Sequence, residues 1–172
     1  MFGRSIRAAG LAVLLLALRA PGAAAVPPAA QHPALVVTTL DGKTFDLAAE
    51  RGKWVVVNFW ATWCSPCIAE TPAISKYVTA HKDVAAIGLA WDRSPRSDVV
   101  AFARAHPVRY PLAQVDPDHV PKGLSAPAAL PTTYLIAPDG KVAKQFLGPI
   151  DAKELDAAID AGSSPHAAGV GH

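Results

Sequence analysis

The sequence predicts one α/β domain with a mixed central sheet flanked by helices, on three observations. Trp54 to Trp60 and Val84 to Trp91 are nearly continuous apolar runs of strand length, the pattern of strands buried on both faces of a sheet. Each is followed by a stretch of helical length, which makes a βαβαβ order. The chain then returns with two strands around Pro138-Asp139-Gly140 and a last helix. With 172 residues and 51% hydrophobic content, it can build one core but not two full-sized domains.

The N-terminus reads as a targeting segment. Arg4 and Arg7 precede an apolar run from Ala8 to Leu18, Arg19 closes it, and Ala23-Ala24-Ala25 offers a small-residue cleavage site. A spanning helix needs about 20 apolar residues, and this run stops earlier, before Pro21 and Gly22. Residues 1–25 are therefore expected to be a cleaved signal peptide, with retention as a membrane anchor the alternative. The mature protein would start near Val26 and work in the periplasm. Cleavage removes three arginines and no acid, so the formal charge of +2 falls to about −1. That balance gives no reason to expect nucleic acid as a partner.

Residues 26–34, rich in proline and alanine, read as a linker, and the domain is expected over 35–161. Leu35 to Leu40 and Lys43 to Leu47 form an N-terminal hairpin around Asp41-Gly42. After the Trp54 to Trp60 strand, Ala61 to Ser65 turns the chain. Pro66 sits where a helix can begin without losing a hydrogen bond, and Cys67 to His81 forms that helix, kinked at Pro72. Following the Val84 to Trp91 strand, Ser97 caps a helix to about Ala105, and Val108 to Leu112 makes a short strand; these two form a central insertion. Pro117, Pro121 and Pro127 leave room for one helical turn near Pro121 and no more. Thr132 to Ala137 and Val142 to Leu147 are strands, and Asp151 caps the last helix through Ala161. Gly162 to His172 reads as a disordered tail, whose His166 and His172 are assigned no role.

The chain has two cysteines, Cys64 and Cys67, three positions apart. In an oxidising compartment such a pair suggests reversible bonding with each other. As a structural staple it would be poor, since a loop this small gains about 2 kcal/mol against roughly 3 for a 15-residue loop. The chain leaves a buried strand and enters a helix at Cys64, where unpaired N–H groups and the helix dipole favour a thiolate. Cys64 is thus the expected nucleophile and Cys67 the resolving thiol. Trp63 offers an apolar platform beside them, whereas Trp60, inside the strand, reads as core. Pro66 withholds one donor, so the Cys64 pKa is expected to be lowered moderately, to about 7.

The run Val56-Val57-Asn58-Phe59-Trp60-Ala61-Thr62-Trp63-Cys64-Ser65-Pro66-Cys67, with Glu70 and Pro72, resembles the TlpA/ResA-like branch of the thioredoxin superfamily. So does Leu130-Pro131-Thr132-Thr133-Tyr134-Leu135-Ile136 with Pro138-Asp139-Gly140-Lys141. The resemblance implies a thioredoxin-like fold and a thiol-disulfide oxidoreductase. It implies that Pro131 is the cis-proline facing the disulfide, that Leu130 presents backbone to a bound partner, and that Glu70 assists proton transfer at the thiols. An ordinary solvent-facing Glu70 is the alternative. Asn58 stands where ordinary thioredoxins carry a buried aspartate, which leaves Glu70 as the available base. The segment Val120 to Ala129 is richer in proline than the family's helix there would allow.

Among rival functions, a copper(I) module is open to two thiolates, but the flanking Trp63, Pro66 and Pro131 suit disulfide exchange better. Haem attachment fails because Ile68, not histidine, follows Cys67. The same cysteine pair could also run as a disulfide oxidant or an isomerase. The family resemblance favours a reductase of exported clients, such as apocytochrome c in cytochrome c biogenesis or copper-site cysteines. It would act as a monomer fed by a membrane thiol-reducing donor, with no cofactor beyond its own disulfide.

Overall fold

A computed structural model describes residues 32–163. The expected signal segment, the linker before His32, and the tail from residue 164, with His166 and His172, lie outside the described residues. The elements run β1 (Val36–Thr38), β2 (Thr44–Asp46), β3 (Trp54–Trp60), α1 (Ser65–Ala80), β4 (Val84–Trp91), α2 (Arg96–Ala105), β5 (Leu112–Val115), β6 (Thr132–Ile136), β7 (Val142–Leu147) and α3 (Ala152–Ser163). A single 3₁₀ turn, Leu47–Glu50, follows β2 and is capped by the Asp46 carboxylate, which accepts from Ala48 N at 2.8 Å.

The central sheet has five strands in the order β5-β4-β3-β6-β7. β3 pairs parallel with β4, and β4 with β5, while β6 runs antiparallel to both β3 and β7. This is the mixed sheet the sequence predicts. All seven residues of β3 are buried, because alternate side chains enter two different cores. Val55, Val57 and Phe59 join Leu35, Phe45, Leu47 and Tyr134 on the side covered by the hairpin. Trp54 and Val56 meet Ile74 and Tyr77 of α1 and Leu155 and Ala158 of α3 on the other.

The hairpin docks onto the sheet through β5: Thr39 bridges Ala113, and Leu40 N donates to Leu112 O at 2.6 Å. Its turn uses Gly42 at φ 85°, a backbone region that only glycine enters without strain. The end of the linker is also tied down, since Ala34 N donates to Lys122 O at 2.9 Å.

Three expectations need correction. The short strand lies at Leu112–Val115, not at Val108 to Leu112. Pro107 precedes the expected segment and Pro111 lies inside it, and neither supplies an N–H to a ladder, whereas Leu112 comes into register opposite Gly88. Ser97 does not cap α2: the cap position is Pro95, no side chain caps it, and the Ser97 hydroxyl bonds Asp98 instead. α3 continues to Ser163, past Ala161, and Gly162 fits there against the Trp54 indole, where a Cβ would stand 2.6 Å from Cη2.

Asp151 caps α3 as expected, in a reciprocal box. Glu154 N donates to Asp151 Oδ1 at 2.9 Å, and Asp151 N to Glu154 Oε2 at 3.0 Å. Between β5 and β6 the chain forms no helix, and one turn closes with Leu124 N donating to Pro121 O at 3.1 Å.

Candidate active site

The end of β3 delivers the chain straight into α1, and the two cysteines sit at that junction. Cys64 holds the cap position in extended conformation, and Ser65 and Pro66 start the helix. The cysteines form a disulfide with Cα atoms 5.3 Å apart. The Cys67 N–H donates to Cys64 Sγ at 3.3 Å, so one free donor of the helix start reaches the sulfur expected to carry charge. Cys64 is 4% exposed and Cys67 1%. Both sulfurs pack with Trp60, Ala61, Ala90 and Val99, and Leu130 lies against the same cluster. Both members of the pair are buried, and the pair is more enclosed than the sequence suggests.

Leu130-Pro131 is a cis peptide and Pro131 is buried. Gly148 N donates to Pro131 O at 2.9 Å, which fastens the loop to the end of β7. Trp63, by contrast, is 67% exposed. It does not shield the sulfurs from within the core. It forms one wall of an open groove with Trp91, Asp92 and Arg93 on one side and Pro127 to Leu130 on the other.

Glu70 lies one turn beyond Cys67 and is 5% exposed, so the solvent-facing alternative is not what the structure shows. Its Oε1 accepts from Asn58 Nδ2 at 2.8 Å and its Oε2 from the Ile150 N–H at 3.0 Å. Burial pushes the Glu70 pKa above its ordinary value of 4.5, and those two hydrogen bonds oppose the shift. A carboxyl in that balance can hold or release a proton near the thiols. Asn58 is itself buried and also donates to Thr133 Oγ1 at 2.9 Å.

Several residues of this region are absent from the sequence reading. Asp92 ends β4 almost fully buried and accepts from Thr62 N at 2.9 Å, Thr62 Oγ1 at 2.6 Å and Ser94 N at 2.9 Å. Burial would raise its pKa, but the bonds from Thr62 and Ser94 outweigh burial and hold it below the ordinary carboxylate value. It is a charged clamp on the loop that carries Trp63. Tyr110 is pushed up to about 12 by burial, with the Glu70 charge adding to the shift and the Thr71 hydroxyl opposing it. It stays neutral beside Glu70. The only signal for Asp92 was its place after an apolar strand, and for Tyr110 there was none. Among the described residues, no group of three His, Cys, Asp or Glu is placed to hold a metal ion. No described helix is long and apolar enough to cross a membrane.

A vicinal pair at a helix start, a cis-proline loop against it and a buried carboxyl one turn on define a thiol-disulfide oxidoreductase of thioredoxin-like fold. The AhpC/TSA family model matches residues 28–145, and the chain belongs to that family. It is 34% identical over 127 residues to the thiol-disulfide oxidoreductase ResA of Bacillus thuringiensis (strain Al Hakam), with 73% of each chain covered. The thioredoxin-like protein YneN of Bacillus subtilis (strain 168) is 32% identical over 136 residues, covering 76% of this chain and 77% of that one. A secreted Mycobacterium tuberculosis disulfide oxidoreductase, homologous to E. coli DsbE, superposes with a TM-score of 0.61 at 26% identity, over 74% of this chain and 95% of that one. These relatives bear out the resemblance to the ResA-like branch and the enzyme class.

Proposed function

We propose that this protein is an exported protein-disulfide reductase, and the observation that carries the reading is the Cys64–Cys67 pair at the start of α1 with Glu70 buried one turn further on. The Cys64 thiolate attacks one sulfur of a client disulfide, forming a mixed disulfide and releasing the other client sulfur as a thiolate. Cys67, giving its proton to Glu70, then attacks Cys64 Sγ. The second client sulfur leaves, the Cys64–Cys67 disulfide forms, and two electrons have passed to the client. Glu70 returns its proton to a departing thiolate. Trp63 and Leu130 flank the approach to Cys64 and serve as client contacts, with Pro131 holding the loop between them.

Export rests on the N-terminal pattern of residues 1–25, and the secreted Mycobacterium tuberculosis relative supports it. Periplasmic clients with disulfides at haem-attachment or copper-site cysteines fit such an enzyme, as does a membrane thiol-reducing system as electron donor. The domain works without a bound cofactor and as a monomer. Expressing Cys67→Ser in a periplasm tests the client reading: the mixed disulfide on Cys64 can no longer be resolved, so mass spectrometry should recover trapped clients of those kinds. Adducts dominated by small thiols such as glutathione would contradict it.

Glu70→Gln is expected to change the pH profile of thiol alkylation while the fold is kept. The same variant has a stability signature. Because the folded-state pKa of Glu70 is raised, the folded protein holds a proton that the unfolded chain has released. The wild type therefore loses stability relative to Glu70→Gln as pH rises from about 4.5 through the folded value, and the difference is constant above it. Denaturant titrations across that range measure the slope, and parallel curves would contradict the burial assignment.

A further inference from the structure

Asn58 and Glu70 meet between β3 and α1, and their hydrogen bonds leave one atom without a partner. Nδ2 spends both hydrogens, one on Glu70 Oε1 at 2.8 Å and one on Thr133 Oγ1 at 2.9 Å. Oδ1 of the same amide is buried with no hydrogen-bond partner. An orphaned buried acceptor costs about 1–3 kcal/mol, so a site that keeps one has a use for it.

The use follows from what happens when Glu70 takes a proton. Oε2 accepts from a backbone N–H, that of Ile150, which cannot turn away. The fixed N–H keeps the better acceptor, the carbonyl oxygen, when the proton sits on Oε1, and there, turned toward Asn58, it meets the Nδ2 hydrogen and sets two donors face to face. Turning the amide end for end removes the conflict. Oδ1 then accepts from the Glu70 hydroxyl, and the Thr133 hydroxyl, able to donate as well as accept, rotates to give its proton to Oδ1. Nδ2 takes over the orphan's place. The Oδ1 acceptor is unpaired before the turn and the Nδ2 hydrogens after it, so in each protonation state Glu70 keeps a bond to Asn58.

We propose that Asn58 is a positioning residue for Glu70, its amide following the state of the carboxyl, with Nδ2 toward the carboxylate and Oδ1 toward the acid, and Thr133 turning in step. An aspartate there would repel the carboxylate, and a leucine would match neither state. The described titratable groups around Glu70 are few. Cys67 lies on its own helix, and Tyr110 stays neutral through the physiological range. Asp151 and Glu154, beside Ile150, are exposed and occupied with each other in the α3 cap. The catalytic use of this turn rests on Glu70 acting as the base; the turn itself does not.

The test is NMR on the full, isotope-labelled chain in its disulfide form, titrated through the Glu70 midpoint as read from its side-chain carboxyl carbon. Above the midpoint the Asn58 amide hydrogens should show cross-relaxation to the Thr133 side chain. Below it those contacts should vanish and both hydrogens should shift upfield, having lost their acceptors. In Glu70→Gln, whose Nε2 donates where the acid would, the turned amide should be present at every pH. Asn58–Thr133 contacts that persist unchanged through the midpoint would overturn the proposal, and this reading needs no variant to fold. As a second measurement, Asn58→Leu removes a partner from both forms of Glu70, and because the bond to the charged form is the stronger it should raise the Glu70 midpoint by about one pH unit, a tenfold change; an unmoved midpoint would also contradict the proposal. The thiol alkylation profile of Glu70→Gln separately reports whether Glu70 is the base. An unchanged profile there, with the amide still turning, would remove the catalytic reading and leave the Asn58 assignment standing.

Discussion

Replacing Cys64 with serine is expected to lower protein-disulfide reduction by on the order of 10³-fold or more, the scale seen when an essential nucleophile is removed. A serine hydroxyl at neutral pH is not ionised and cannot attack a disulfide, and Cys67, the one thiol that remains, is 1% exposed and has no second cysteine with which to close the cycle. The Cys67 N–H would still point at the new oxygen, so the helix start should fold as before. The comparison with Cys67→Ser makes the result specific. That variant keeps the attacking thiol and should still form a mixed disulfide, at a rate within a few-fold of the first step in the wild type, before stalling. Limiting alkylation of the reduced protein gives the same ordering by a different route. Preferential labelling of Cys67 would reverse the two roles.

The second large effect concerns the fold. Phe59 is fully buried in β3, with edge-to-face contacts to Trp91 at 5.6 Å and Tyr134 at 6.0 Å between ring centroids. It sits on the hairpin side of the sheet, one residue before Trp60, whose own ring meets Phe102 of α2 at 5.7 Å on the opposite side. Phe59→Ala is expected to cost about 3–5 kcal/mol, from lost burial together with a cavity that two aromatic neighbours cannot fill. Against the usual 5–15 kcal/mol of a domain this size, that is enough to leave a substantial unfolded fraction on warming. Chemical denaturation should show a lower midpoint with an unchanged slope. A loss under 1 kcal/mol would mean that the hairpin side of the sheet is less tightly packed than its burial implies.

The parts of this account that were legible in the sequence depend on neighbours along the chain. The strand at Trp54–Trp60, the helix entry at Cys64 and the Asp151 cap of α3 each need only a few adjacent residues. Pro131 was legible because two motifs 64 positions apart in the chain carried one resemblance. The burial of Glu70 was not legible in this way. It depends on Asn58 twelve positions before it and Ile150 eighty after it, and no local pattern distinguishes such a glutamate from one on a solvated helix face. Thr133, 75 positions from Asn58, enters the site only because β6 inserts beside β3. The misplaced strand β5 has a different cause: prolines set its start, while the register of Leu112 opposite Gly88 is set by β4.

The direction of electron flow is the central claim, and the reduction potential of the Cys64–Cys67 pair tests it most directly. A strong oxidant is one whose reduced form is unusually stabilised. Here the stabilisation is modest: one backbone N–H reaches Cys64 Sγ, Pro66 offers none, and no histidine or arginine lies between the cysteines. A charged Glu70 one turn further would disfavour a thiolate at Cys67. Equilibration with glutathione at several ratios should therefore give a potential below roughly −200 mV, nearer thioredoxin than the oxidants. A value near about −120 mV, at the oxidant end of that scale, would contradict the assignment of this protein as a reductase.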